Sequence, residues 1–387
     1  MDGAILQAGV VLLILFAGGY LAKRIGQSVI PAYILIGLLI GRFIPKGPML
    51  DSSAEAGLAL LLFFIGLEFS FSSLLFGLKR TVLTGAVDLV FSFPAGVAFG
   101  LLMGANPVES VYLGAILYMS STAIITKTLT DSMLSAYPEA EPMLRILVFE
   151  DLLIAVFLAL FQGIESGGSP VEGAALSLAK AAGFFLVLSL LFRWGMSVVN
   201  RVFSVDSQEL FIMLGLGFVL VVSGVASLLG ISPAVGAFLA GALFSETMHK
   251  GRMEESLSPL KDLLTGVFFL SFGVKAAAGG MEKFILPAVA FTLLGLITKV
   301  SGGQVIGRME RLSDRASLGL GIGLIARGEF SIIIAAMLPE APVGPGAVDL
   351  RAMAALFILF SGISGAVAMR EFPKAWFWWT KKGGRGR

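Results

Sequence analysis

The recurrence of long apolar segments along almost the whole chain constrains its fold more than any other feature. Most of these segments are long enough to cross the hydrocarbon core of a bilayer as an α-helix, which takes roughly 20 residues. Two short ones, 28–44 and 233–246, contain Gly or Pro and have the least sharply defined bounds. The thirteen segments cover residues 4–22, 28–44, 54–70, 81–103, 109–130, 142–163, 172–194, 208–229, 233–246, 261–279, 284–306, 315–338 and 350–369.

The composition agrees with this pattern and excludes a soluble domain. The chain is 57% hydrophobic and 14% charged, and its mean hydropathy is +0.92. We therefore predict an all-α polytopic membrane protein with about thirteen transmembrane helices. The absence of cysteine excludes disulfides and thiolate metal sites, and a net charge of +2 gives no reason to expect nucleic acid. No phosphate-binding or zinc-binding spacing occurs, so no cofactor is expected.

The distribution of basic residues predicts the orientation in the membrane. The first segment, 4–22, is too long for a cleaved signal peptide and lacks a basic region before it, so we expect it to be retained. With an odd number of spans the two termini lie on opposite sides. If the C-terminus is cytoplasmic, 19 Lys and Arg residues fall in inner connections and the tail. The outer connections then hold five, which are Arg42, Lys46, Lys275, Lys283 and Arg351. The positive-inside rule therefore predicts a cell (inner) membrane protein with its N-terminus outside and its C-terminus on the cytoplasmic side.

Two adjacent acids, Glu150 and Asp151, interrupt the apolar segment 142–163. A charged side chain at membrane depth is costly unless it is paired or hydrated, so it marks a functional site by default. Successive residues of a helix point about 100° apart, and the two carboxylates therefore have different surroundings and different tasks. The alternative is a pair at a helix end in the membrane interface, but Glu150 lies well inside the segment.

Two segments contain sequences that favour a break in the helix. Segment 109–130 contains the polar, β-branched run Ser120–Thr122, and segment 315–338 contains several glycines together with Arg327 and Glu329. Unwound backbone is tolerated at membrane depth only where protein or a water-filled cavity surrounds it. The two segments are seven spans apart and cross in opposite directions, which predicts inverted repeats with two crossed discontinuous helices. Alternatively, the hydroxyl groups only bond to carbonyls of their own helix.

Several motifs together resemble the cation:proton antiporter-2 family in its Kef-like branch, and most closely the membrane subunit of Kht-type potassium/proton antiporters. The matching stretches lie in order over almost the whole chain. They are Phe64-Ile65-Gly66-Leu67-Glu68, Ser120-Ser121-Thr122-Ala123-Ile124, Phe149-Glu150-Asp151, Ser245-Glu246-Thr247, Phe268-Phe269-Leu270-Ser271-Phe272-Gly273 and Arg327-Gly328-Glu329-Phe330-Ser331. Many members carry Asp-Asp, Asn-Asp or Gln-Asp where this chain has Glu150-Asp151. That departure bears on stoichiometry rather than on the class of reaction.

The resemblance implies a sodium/proton-antiporter-like fold with thirteen spans. It implies a homodimer in which a dimerisation scaffold, about 4–44 and 172–246, holds a mobile core, about 54–163 and 261–369. Kef-like exporters continue into a cytoplasmic nucleotide-binding domain. We expect residues 1–387 to form a single transmembrane domain without such a regulatory domain.

The resemblance, for Asp151 and Lys299, and the chemistry of the other side chains predict roles for individual residues. Asp151 matches the family's ion-binding aspartate and is expected to exchange a proton for a monovalent cation, with Glu150 beside it in the site. Ser121, Thr122 and unwound backbone carbonyls are expected to supply further oxygens. Lys299 matches a lysine that many members place opposite the first acidic position, so we expect it to pair with Glu150. Arg327 and Glu329 are expected to neutralise half-helix ends.

The function that follows is secondary active antiport of a monovalent cation, K⁺ first and Na⁺ second, against H⁺ by alternating access. A gated passive cation channel is the runner-up, although the chain shows no filter-like repeat. An intramembrane hydrolase with a Ser–His dyad is excluded because the sole histidine, His249, lies in a predicted cytoplasmic connection. Adjacent acids on one helix also lack the facing geometry of an aspartyl dyad.

A charged stretch from Ser245 to Lys261 is the predicted regulatory surface. It resembles the loop that Kef-like exporters press against their own regulatory domain, and here a separate cytoplasmic regulatory subunit is the expected partner. An ordinary solvated loop is the alternative. The candidate residues are Glu246, His249, Lys250 and Arg252.

Overall fold

The computed structural model describes residues 2–41, 48–68, 78–165, 170–277, 281–338 and 350–383, and these residues form helices and no strands. Of the basic residues used to predict the orientation, Arg42, Lys46, Arg385 and Arg387 lie outside these ranges. Within the described ranges the α-helices are α1 Asp2–Arg24, α2 Val29–Ile40, α3 Pro48–Glu68, α4 Leu78–Leu102, α5 Pro107–Tyr118, α6 Thr122–Asp131, α7 Ala140–Glu165, α8 Pro170–Phe203, α9 Gln208–Leu228, α10 Pro233–Phe244, α11 Lys250–Ala276, α12 Ile285–Met309, α13 Asp314–Gly323, α14 Glu329–Ala336 and α15 Leu350–Gly383.

Each predicted apolar segment corresponds to one helix or to one pair of helices. The prediction of an all-helical fold with two discontinuous segments is confirmed, since segment 109–130 is divided into α5 and α6 and segment 315–338 into α13 and α14. By length and composition, eight candidate spans occur in the described part of the chain, together with the shorter apolar helices α2 and α10. The count of thirteen membrane crossings stays a prediction.

Polar caps at helix starts show how the sequence sets these boundaries. At α5, the side chain of Asn106 accepts from the backbone N–H of Glu109, while the Glu109 carboxylate accepts from the N–H of Asn106, and Pro107 occupies the first helical position. This reciprocal capping box satisfies two donors that the helix leaves unpaired. At α6 the Ser121 hydroxyl accepts from Ile124 N–H, so the polar patch that interrupts the segment also begins the second half-helix.

The chain forms two compact units, and the first contains residues 1–45, 78–150 and 272–387. In this unit α12 packs against α4, α13 and α15. The contact between α12 and α13 is a backbone approach, because a Cβ added to Gly303 would lie 2.5 Å from the Cα of Gly321. Small residues allow helices to approach in this way, and here the approach fixes the part of α12 that carries Lys299.

The second unit contains residues 46–77 and 151–271. Here α3 and α10 meet at two glycines: a Cβ on Gly66 would lie 2.1 Å from the carbonyl oxygen of Phe238, and one on Gly241 would lie 2.0 Å from that of Phe63. Helix α8 exposes large apolar side chains such as Leu191, as expected for a helix that faces lipid or another apolar surface.

The predicted connection from Ser245 to Lys261 is wrong as a description of secondary structure. Helix α11 begins at Lys250, well before the predicted apolar segment 261–279. The extra residues form a helical extension with alternating charges, such as Lys250 and Glu254 one turn apart, and hydropathy alone does not detect such an extension.

Candidate functional site

The two broken helices meet at their breaks, and we call this meeting point the crossover, formed by residues 119–121 and 324–328. The backbone N–H of Ser121 donates to the carbonyl of Ala326 at 2.8 Å. The Ser120 Oγ lies 3.1 Å from the carbonyl oxygen of Leu324. Gly328 is required by the close approach, since a Cβ there would lie 2.3 Å from Ser121 Oγ. The unwound backbone groups therefore satisfy one another across the crossover instead of meeting lipid.

Arg327 lies fully buried at the crossover and binds the ends of two half-helices. Its Nε and Nη2 donate to the carbonyl of Leu117 at 3.0 and 2.7 Å, at the end of α5. Its Nη1 donates to the carbonyls of Leu324 and Ile325 at 2.6 and 2.9 Å, at the end of α13. A helix C-terminus carries partial negative charge and unpaired carbonyls, so one guanidinium compensates both ends.

Glu329 takes the opposite position, at the start of α6. Its Oε2 accepts from the Ser121 hydroxyl at 2.7 Å, and its Oε1 accepts from the backbone N–H of Ala123 at 3.1 Å. A carboxylate there complements the positive end of the helix. Both charged side chains thus contact half-helix ends.

Glu150 lies on α7 with a fully buried side chain and accepts hydrogen bonds from three donors. Its Oε2 accepts from the backbone N–H of Ser120 at 2.5 Å. Its Oε1 accepts from the Ser120 hydroxyl at 2.9 Å and from Lys299 Nζ at 2.8 Å. The crossover and α12 together hold this carboxylate, and a buried charge needs such pairing and hydrogen bonding to be tolerated.

Lys299 contacts a second acid in addition to Glu150. Its Nζ lies 2.6 Å from Oδ2 of Asp88 on α4, and it stands 5.1 Å from the centre of the Tyr118 ring. The side chains of Lys299, Asp88 and Glu150 are all 0% exposed. The sequence patterns assign no individual role to Asp88 or to Ser120. An isolated acid inside the apolar segment 81–103 was the available signal for Asp88.

Asp151 follows Glu150 on α7 and is half-buried, and the division between the two compact units falls between these two residues. Thr122, the first residue of α6, is also half-buried. Ser121 is buried, and its hydroxyl is engaged with Glu329 and Ile124 N–H. The binding of a cation by Asp151, Glu150, Ser121 and Thr122 stays a prediction.

The candidate regulatory residues lie at the end of α10 and the start of α11, in the second unit. His249 Nε2 lies 3.0 Å from the carbonyl oxygen of Asn200. Arg252 donates to the carbonyls of Val205 and Asp206, and its guanidinium lies 4.1 Å from the centre of the Phe211 ring. Lys250 remains 36% exposed beside Glu254. Of the two basic residues, Arg252 therefore stabilises its own unit, whereas Lys250 presents its charge to solvent.

Known proteins are similar to this chain over almost its whole length. The family model described as "Sodium/hydrogen exchanger, transmembrane" matches residues 11–370. The chain is 31% identical to the K(+)/H(+) antiporter subunit KhtU of Bacillus subtilis, over 96% of this chain and 94% of that protein. It is also 31% identical to the ammonium/H(+) antiporter subunit AmhT of Alkalihalophilus pseudofirmus, over 95% of this chain and 93% of that protein.

The fold is similar to that of a solved antiporter. The sodium proton antiporter MjNhaP1 from Methanocaldococcus jannaschii, in its structure at pH 8, superposes with a TM-score of 0.66 at 17% sequence identity. The match covers 96% of this chain and 97% of that one. The chain therefore belongs to the sodium/hydrogen exchanger family: it is a multi-pass membrane protein that exchanges cations for protons, a transporter and not an enzyme.

Proposed function

We propose that the transported cation is K⁺, with Na⁺ as the second candidate, and that Asp151 binds it in exchange for a proton. The observation that supports this most is the position of Asp151 next to Glu150, whose buried charge Lys299 and Ser120 already stabilise. Glu150 helps to form the site through these contacts, and Asp151 is the residue that takes the proton or the cation.

In this proposal the cation is held by oxygen atoms, as a hard alkali cation requires. Asp151 supplies the charge, and Glu150, Thr122 and Ser121 complete the binding site. Because the Ser121 hydroxyl already donates to Glu329, its part is to hold the start of α6 in place as well as to offer a lone pair. Arg327 and Glu329 keep the half-helix ends neutral, so that the cation is the only added charge.

The preference for K⁺ is supported by the relative named as a K(+)/H(+) antiporter subunit, and Na⁺ by the solved sodium proton antiporter. The relative named for ammonium makes NH₄⁺ a third ion to test. Alternating access between a mobile core (54–163 and 261–369) and a dimerisation scaffold (4–44 and 172–246) is part of the proposal, as is the homodimer. The proposed orientation has a cytoplasmic C-terminus.

Dissipation of a pH gradient in proteoliposomes tests the proposal, with K⁺, Na⁺, Rb⁺ and NH₄⁺ compared and with a valinomycin clamp applied to K⁺. We expect K⁺ to dissipate the gradient fastest. Asp151→Asn should abolish exchange and leave the protein folded, because the amide cannot cycle a proton or balance the charge of the cation. Glu141→Gln is the matched control, since that acid lies on the same helix with its side chain 81% exposed.

Two results would contradict this proposal. Wild-type exchange rates in Asp151→Asn would show that Asp151 is not the residue that binds the cation and the proton. Dissipation by Na⁺ with no response to K⁺ would remove the assignment of the cation while leaving cation/proton exchange in place.

We also propose that a separate cytoplasmic subunit binds the charged surface formed by Glu246, His249, Lys250 and Arg252 and restrains exchange. Both relatives are named as antiporter subunits, which supports a partner. Because Arg252 is engaged within its own unit, Lys250→Glu is the informative change. It should weaken the partner and raise basal exchange, with Lys250→Arg as the control. Two observations together would show that no such restraint exists. The isolated wild-type chain would already exchange at its maximal rate, and adding the product of the neighbouring gene would not change that rate.

A further inference from the structure

Helix α6 begins at the crossover and has one buried apolar side. Ile124, Ile125 and Leu129 lie in a buried apolar cluster together with residues of α7 and α13. The other side of the helix, which we call the polar face, is exposed or half-buried and consists of Thr122, Ala123, Thr126, Lys127 and Thr130. The span to which α6 belongs is apolar and long enough to cross a membrane. An ammonium and threonine hydroxyls are costly against lipid, so we expect the polar face to meet water.

Lys127 is the charged residue of the polar face. It lies five residues beyond Thr122, the first residue of α6, which places it about 7.5 Å along the helix axis from the crossover. Lys299 is buried between two acids, whereas Lys127 is exposed and makes no ion pair with any residue that the structure describes. Asp131, one turn further from the crossover, is exposed and does not pair with it. An unpaired charge inside a membrane-spanning segment is a functional feature by default.

The threonines of the polar face present their oxygen atoms as acceptors. Thr126 Oγ1 donates to the carbonyl of Thr122 at 2.7 Å, and Thr130 Oγ1 donates to the carbonyl of Thr126 at 3.0 Å. A hydroxyl has one hydrogen and two lone pairs, so these bonds to the helix leave the lone pairs available to water or to a cation. The two hydroxyls are one turn apart, about 6 Å along the axis. The polar face therefore offers a hard cation successive oxygen atoms toward the crossover, with the Lys127 ammonium beside them.

We propose that Lys127 determines the affinity of the exchanger for its cation. The polar face is the route by which the cation reaches the crossover from water, and the ammonium repels the cation on this route. Half-maximal exchange then needs a higher cation concentration than the binding site alone would require. Lys127 acts through its charge and does not bind the cation. The proposal rests on the proposed exchange of a monovalent cation at Asp151.

Replacement of the charge tests this proposal. Coulomb repulsion between unit charges about 8 Å apart, through a partly hydrated region, changes an equilibrium constant by about threefold to tenfold. Lys127→Gln should lower the half-saturating K⁺ concentration in proteoliposomes by about that factor, and Lys127→Glu should lower it further. Because repulsion acts on binding rather than on the later steps, the change should appear in KM more than in kcat. Lys127→Arg keeps the charge and should keep the wild-type KM.

Salt separates an effect of charge from an effect of packing. K⁺ is titrated at constant ionic strength, with N-methylglucamine replacing it. At an ionic strength of about 1 M the Debye length falls to about 3 Å, so the KM values of wild type and Lys127→Gln should converge. A difference caused by altered packing would persist. Lys79→Gln, at an exposed lysine near the start of α4, is the control and should leave the KM unchanged.

The accessibility of the polar face is tested without transport. The chain has no cysteine, so Ala123→Cys and Thr126→Cys each place a single thiol on this face. Val90→Cys, on α4, is the matched control, since Val90 is 67% exposed on an apolar spanning helix. A charged methanethiosulfonate applied to unsealed membranes reacts with the thiolate, which forms in water and not in hydrocarbon. We expect Ala123→Cys and Thr126→Cys to react much faster than Val90→Cys, and K⁺ to slow both reactions.

Several results would overturn the proposal. An unchanged KM in Lys127→Gln, or a lowered KM that persists at about 1 M salt, would show that the charge of Lys127 does not act on the cation. Labelling of both polar-face thiols no faster than that of Val90→Cys would show that water does not reach this face. If Asp151→Asn exchanges K⁺ as the wild type does, the proposed site is wrong, while a salt-sensitive KM in Lys127→Gln would still support the role of Lys127. If the wild type exchanges no cation, both proposals are wrong.

Discussion

At the scale of single residues, the charges buried in the first unit form a connected network. Lys299 bonds to Asp88 and Glu150, Glu150 bonds to the backbone at the crossover, and Arg327 and Glu329 bind half-helix ends. Each charge is stabilised by partners from other helices, so a single substitution leaves a buried group unpaired. This arrangement makes unequal, non-additive effects the expected result of mutation.

Lys299 and Glu150 should therefore be energetically coupled. Lys299→Met leaves two acids facing each other without a cation and should cost about 3–5 kcal/mol, as for other broken buried pairs. Glu150→Gln should cost less, because Lys299 keeps Asp88 as a partner. The double variant should lose less than the sum of the two.

This coupling is measured as a double-mutant cycle, from the melting temperatures of the wild type, the two single variants and the double variant in detergent. Lys79→Met, at an exposed residue, is the control for the loss of a lysine. Strictly additive losses would show that the two side chains do not interact. Equal losses of stability in Lys299→Met and Glu150→Gln would show that Asp88 does not stabilise Lys299 once Glu150 is removed.

A second prediction concerns Glu139, in the connection before α7. This carboxylate is buried and lies 3.1 Å from Nη1 of Arg315, which stacks over the Tyr137 ring. Burial raises the pKa of Glu139 above its ordinary value of 4.5, and Arg315 offsets only part of the effect. The native chain thus binds this proton more tightly than the unfolded chain, and the stability contributed by Glu139 falls as pH rises above that ordinary value.

Glu139→Gln should remove this loss of stability at higher pH. The melting temperature of the variant relative to wild type should therefore increase between about pH 4 and about pH 7. Glu141→Gln, two residues away and exposed, should show no such trend. A relative melting temperature that instead decreases with pH would show that pairing with Arg315 outweighs burial.

At the scale of elements, close helix packing positions the network. A Cβ on Gly321 would lie 2.6 Å from the carbonyl oxygen of Lys299 and 2.6 Å from the Cα of Val300, and both are backbone atoms that cannot move aside alone. Gly321→Ala should therefore push α12 and α13 apart, cost about 1–3 kcal/mol and slow exchange by displacing Lys299.

Gly217→Ala is the matched control, because a Cβ at this position of α9 meets nothing within 4 Å. It should be neutral or stabilise the helix by about 0.5–1 kcal/mol. Melting temperature and exchange rate are compared for both variants. Equal behaviour of the two would show that the approach of α12 to α13 is not a constraint on the site.

At the scale of the whole molecule, the absence of cysteine makes the predicted orientation easy to test. Two exposed residues at opposite ends of α8 are suitable for single cysteines: Glu172 at its start and Ser204 just beyond its end. With the C-terminus in the cytoplasm, an impermeant maleimide should label Glu172→Cys in intact cells. Ser204→Cys should react only after the membrane is opened.

The unmodified chain is the control for unspecific labelling. Labelling of Ser204→Cys in intact cells, with Glu172→Cys protected, would reverse the assignment of the two sides. Exchange by both variants in proteoliposomes shows that the labelled proteins are folded.

The sequence by itself determined the helical fold, the positions of both breaks and the family. Hydropathy is a local property of the sequence, and so are polar or glycine-rich interruptions of an apolar segment. Residues such as Ser121 and Gly328 therefore indicate a break whatever they contact in the folded protein. It also singled out Glu150, Lys299, Arg327 and Glu329, because a charge at membrane depth is conspicuous wherever it folds.

Only the tertiary structure decided which of these groups meet. Asp88 and Lys299 are 211 positions apart, and Ser120 reaches Glu150 across 30 positions, so nothing local relates them. The same is true of the backbone approach between α12 and α13 that fixes Lys299. Because one ammonium is shared by two acids only when three helices pack around it, the pairing of Lys299 with Asp88 and Glu150 is a property of the packing and not of any segment of the sequence.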